Sequence, residues 1–137
     1  MANALKTQII TDGPRNATVK ITGVLDTSDV AYTTVVIPSQ YSPVPNTFRV
    51  FHLDYSLTDQ IEIQLFWDAT TPSVMLPLAG RGRMSFVDFG GLINDATQAA
   101  GYTGAIGLKT TGWASGTQVF SLVLELVKQG PDYVGVK

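Results

Sequence analysis

The run TFRVFHLDYSLTDQIEIQLFWD, residues 47–68, decides the fold class. In its first half Phe51, Leu53, Tyr55 and Leu57 fall on one side, while His52, Asp54 and Ser56 fall on the other. The second half repeats this, with Ile61, Ile63, Leu65 and Trp67 on the apolar side and Glu62, Gln64 and Asp68 on the polar side. A period of two belongs to β-strands, whose successive side chains point to opposite faces. The connection TDQ is short, which predicts an antiparallel hairpin.

The same signal continues in both directions. LKTQIIT (5–11) is a short β-type run stopped by the turn DGPR (12–15). NATVKITGVL alternates Ala17, Val19 and Ile21 against Thr18, Lys20 and Thr22. AYTTVVI (31–37) is β-branched and ends at Pro38, and SQYSPVPNT (39–47) reads as a loop and a contact surface. SVMLPL, RMSFVDF, AIGLKT and TQVFSLVLELVKQ complete the strands. In the last, Phe120, Leu122, Leu124 and Leu126 form one face, and Val119, Val123 and Val127 make the other partly apolar, which marks a central strand. One helical turn is predicted around 93–99, ended by Gly101. Eight or nine short strands with Gly and Pro turns predict an all-β antiparallel sandwich or barrel, jelly-roll-like in topology. Residues 1–129 read as one β domain and 130–137, GPDYVGVK, as an exposed C-terminal arm that docks on a neighbour.

The composition favours assembly. Only 15% of the 137 residues are charged, against about 25% in typical domains. A chain with few charges and many apolar residues gains from covering part of its surface with partners. A net charge of −2 gives no attraction to nucleic acid or anionic membrane. No apolar run approaches the roughly 20 residues needed to span a bilayer, and MANALKTQII lacks the build of a secretory signal. The product is expected to be soluble where it is made.

Chemistry-bearing patterns are sparse. His52 is the single histidine, and no Gly-x-Ser-x-Gly elbow accompanies it. With no cysteine, a zinc site of the usual ligands is not expected, nor is any cofactor. Asp54, Glu62 and Asp68 are the carboxylates a hydrolase would use, but alternating polar strand faces produce such pairs by accident. LDTSDVA offers Asp26 and Asp29 as a weak calcium-like match, with a turn-stabilising side-chain-to-backbone bond expected of Asp26.

LAGRGRMSFVDFGG (78–91) sets Arg81 and Arg83 among four glycines. A phosphate-binding loop needs a lysine followed by a helix, and here the following run is β-type. The glycines therefore read as turn punctuation. Two extended arginines two apart lie on one side, available to carboxylates of this chain or another.

IITDGPRNATVKITGVLDTSD, LFWDATTPSVMLPLAGRGRMSFVDFGGL and GWASGTQVFSLVLELVKQ together resemble a recurrent type of small tailed-bacteriophage protein, over most of residues 8–129. The resemblance implies a virion structural component without catalytic residues, made in the host cytoplasm. By analogy of size and β-content it implies a head decoration (cement) protein on the outside of the capsid. Its partners would be the major capsid protein and itself, as a homotrimer. Candidate contacts are Tyr41, Pro43 and Pro45 in the long loop, Arg81 and Arg83, and Tyr133 in the arm. Trp113 reads either as a loop plug or as an exposed anchor. A second expectation is a glycan- or receptor-binding module with Trp113, Tyr102 and Tyr41 as its platform, and a tail or neck component is a further alternative.

Overall fold

A computed structural model describes residues 3–41, 44–89, 91–93 and 100–129, which form two stacked antiparallel sheets. The strands are β1 (Ala4–Asp12), β2 (Asn16–Leu25), β3 (Thr33–Val36), β4 (Thr47–Leu57), β5 (Glu62–Trp67), β6 (Ser73–Leu78), β7 (Arg81–Ser85), β8 (Ile106–Thr111) and β9 (Gln118–Gln129). The first sheet has the order β1-β2-β9-β4-β7 and the second β3-β8-β5-β6. The pairing nests: β2 with β9, β3 with β8, β4 with β7 and β5 with β6. From β2 onward the chain is one long antiparallel hairpin whose arms step between the two sheets.

The core fills the space between the sheets. Val19, Ile21, Val50, Leu53, Leu122 and Leu124 face it from the first sheet, and Ile63, Leu65, Trp67, Ile106 and Leu108 from the second, all buried. Each such side chain contributes about 1.5–3 kcal/mol by leaving water. β9 lies between β2 and β4 with its leucine face inward, as its sequence predicts.

Three expectations change. β4 and β5 are not a hairpin: they lie in different sheets. The turn between them, closed by the Ile61 amide donating to the Thr58 carbonyl at 3.2 Å, arches across the core edge. Leu57 and Ile61 are both buried beneath it, so each strand keeps its apolar face toward the same core. Phe51 is not on the core face either, because the β4–β9 register slips between Val50 and His52. This bulge brings even-numbered Phe48 and Val50 inward before it and odd-numbered Leu53 and Leu57 after it. Finally, the run at RMSFVDF leaves the strand after Ser85 for a 3-10 turn at Val87–Phe89. The helical turn expected around 93–99 falls almost wholly outside the described residues, as do Pro43 and the arm 130–137.

Candidate functional site

Side chains able to bind or react gather at the two ends of the sandwich and along the first sheet. Where β9 finishes, the strand's inward series runs Phe120, Leu122, Leu124, Leu126 and then Lys128. The Lys128 side chain is only 5% exposed, and its Nζ lies 2.6 Å from Asp12 Oδ1. Asp12 reaches it because β1 bulges: the register slips between Ile9 and Thr11, so Asp12 falls opposite inward Ala17. Tyr41 closes this end. Its ring meets Phe48 edge-on at 5.1 Å, and Lys128 Nζ sits 5.9 Å from its centre. Tyr41 is 2% exposed, so it is a core residue and not the surface contact expected of it. Its hydroxyl is buried without a hydrogen-bond partner among the described residues. Burial, with the Asp12 charge second, pushes its pKa up to about 12.

Beside it, Asp68 accepts from the Tyr32 hydroxyl and, at 2.7 Å, from Thr103 Oγ1. Burial first, then the bond to Asp68 and its charge, hold the Tyr32 hydroxyl well above its ordinary pKa. Gly104 has φ +82°, and a Cβ there would stand 1.8 Å from the Asn46 carbonyl, so only glycine fits. An open cleft of about 560 Å³ is lined here by Ile37, Pro38, Val44, Pro45, Tyr102 and Ala105. Pro45 is itself buried, while Val44 is exposed.

The opposite end is tied by side-chain bonds to loops. Asn3 Oδ1 accepts from the Asp26 amide at 2.8 Å, and Asp26 accepts from Thr117 Oγ1 at 2.7 Å. The side-chain-to-backbone bond expected of Asp26 is made instead by Asp29, which accepts from the Trp113 amide at 3.1 Å. Trp113 packs partly buried against the core, and its Nε1 donates to the Gly116 carbonyl at 3.0 Å. It is a loop plug. Trp113 thus sits at one end and Tyr102 at the other, with Tyr41 inside, so the structure does not assemble the three-ring platform.

On the outer face of the first sheet Arg83 bridges Asp54 at 3.2 Å and Glu125 at 3.6 Å. Arg81 is exposed, forms no ion pair among the described residues, and stands at the rim of an open groove of about 650 Å³. Thr22, Val24, Ser56, Val119 and Ser121 line that groove. His52 lies on this sheet with Nδ1 buried and unpartnered among the described residues. Asp54 is on the first sheet, whereas Glu62 and Asp68 belong to the second and its end, so the three carboxylates do not converge. Pro43 and Tyr133 lie outside the described residues.

Sequence reasoning passed over the Asp12–Lys128 pair and the exposure of β1. Lys128 was readable, since it continues the inward period of two from Phe120. The bulge that turns Asp12 toward it has no such signal. No protein-family model matches the chain, and no curated protein shows significant similarity to it.

Proposed function

We propose that this chain is a structural subunit of a tailed-bacteriophage virion: a head decoration protein that binds the outside of the capsid as a homotrimer, against the major capsid protein. The nested strand order supports reading the sandwich as a jelly roll, a stiff module with loops at both ends. One observation carries the assembly part of this reading. Strand β1 forms a nine-residue margin of the first sheet, with Leu5 37% and Ile10 52% exposed. Open strand edges with apolar side chains are places where other chains add. The resemblance in residues 8–129 supplies the phage context.

The physical role follows from where a capsid is weakest. Internal pressure pulls at subunit seams, and a rigid clamp with three copies of a modest contact holds them through effective concentration. Stiff β-faces immobilise few flexible side chains on binding, which keeps the entropic cost low. The test compares virions with and without the protein. Loss of the protein lowers the temperature at which heads release DNA, and adding it back restores that temperature; unchanged heat resistance contradicts the cement role.

A further inference from the structure

We infer that the open edge of β1 is the seat of residues 131–137 from a second copy of this chain, which add there as a strand and link copies head to tail. The inference deepens the assembly reading above by naming the contact between copies.

Among the described residues β1 pairs on one side only, with β2. β1 is the outermost strand of the five-stranded sheet, and none of its nine residues is buried. Leu5 faces inward, opposite Gly23, yet stays 37% exposed; Ile10, at the bulge, is 52% exposed. The other edges are blunted. β3 has four residues, β6 carries Pro77 and a register slip, and β7 carries Arg81 and Arg83. β1 has nine residues and no proline. Proline, charge and shortness are what keep an edge from accepting a strand, and β1 has only Lys6, the Asp12 held by Lys128, and a bulge near its far end.

The occupant is identified by sequence and by where the described chain stops. GPDYVGVK follows Gln129 directly, with Gly130-Pro131 as a break and Tyr133, Val134 and Val136 as β-favouring residues. Its one anion, Asp132, complements Lys6, the one cation of β1. Gln129 is pinned, its carbonyl accepting the Asn46 amide at 2.7 Å, and the Lys128 amide donates to the Arg15 carbonyl at 2.6 Å. From β9 the open side of β1 is three strand spacings away, about 14 Å. Crossing it within one chain would use about four residues of extended backbone, half of the arm. The arm of a neighbour can offer residues 131–137 whole. Exchange of this kind is heterologous, and a heterologous contact that closes makes a ring, as a trimer requires.

The native chain has no cysteine, so engineered thiols report cleanly. Gln8→Cys and Val134→Cys variants, made singly, mixed and oxidised, should yield a disulfide joining β1 of one chain to the arm of another, identified by peptide mapping. Lys6→Cys with Val134→Cys covers the neighbouring register. A chain ending at Gln129 should fall to the mass of one subunit in light scattering while keeping its β circular dichroism. The inference is overturned if the shortened chain keeps the assembled mass, or if the mixed variants give no disulfide between β1 and the arm in either register. Both readings are made without capsids, so their failure is separate from any failure of the virion heat test.

Discussion

Lys128 continues a row of leucines and phenylalanine, and the fold tolerates it because Asp12 and the Tyr41 ring complete its surroundings. Removing one partner of such a pair strands a charge. Asp12→Ala should lower the unfolding free energy by about 2 kcal/mol, below the full range for a buried pair because Asp12 is 26% exposed. Lys128→Met should cost less, since the charge it leaves behind is Asp12, the more exposed partner, while the buried position keeps an apolar side chain. Urea titrations of the two variants make the comparison. Tyr41 gives a prediction of opposite sign. Its hydroxyl has no partner among the described residues, so Tyr41→Phe should leave stability unchanged or raise it by up to about 1 kcal/mol. The pH dependence follows from the same group. A free tyrosine ionises near pH 10, while Tyr41 in the fold holds its proton to about 12. Between those values the unfolded chain has lost a proton that the native state keeps, so stability falls as pH rises through that window. Tyr41→Phe should flatten the fall, as read by urea midpoints from pH 9 to 12.

Among the strands, β9 and β1 mark the extremes. β9 is flanked on both sides and buries Leu122 and Leu124 completely, while β1 is flanked on one side among the described residues and is largely exposed. Leu124→Ala should cost about 3 kcal/mol, whereas Leu5→Ala should cost under about 1 kcal/mol in the isolated chain. Amide exchange should be slowest in β9 and fastest in β1, because local opening of an edge strand breaks one ladder rather than two. At the β2–β9 contact, a Cβ on Gly23 would stand 2.2 Å from the Phe120 ring, so Gly23→Ala should destabilise by about 1–3 kcal/mol. Strand identity at this scale was legible, since Ile63, Leu65 and Trp67 recur at a period of two on one buried face, with Glu62 and Gln64 on the other, even though Phe66 is buried as well. Sheet membership was not. A three-residue connection serves a hairpin or an arch equally, and only shared burial of Leu57 and Ile61 decides for the arch. The β4 bulge was hidden as well, because Phe51 is as apolar as the core residues whose alternation it interrupts.

For the whole molecule, the candidate site was legible only in part. Arg83 meets carboxylates of its own chain, as its place beside β4 allows, while Tyr41 turned inward because a tyrosine in a proline-rich loop can cap a core as well as cover a surface. The free edge of β1 could not be read, since exposure depends on how many strands each sheet recruits. The molecule is a two-sheet sandwich in which Arg83 and Lys128 meet carboxylates of their own chain, and β1 is a long edge paired on one side among the described residues. The direct test is to image heads with and without this protein by electron cryo-microscopy. The account predicts extra β-rich density on the outer capsid surface, in groups of three. Identical capsid surfaces, with the difference density on the tail or nowhere, would contradict it.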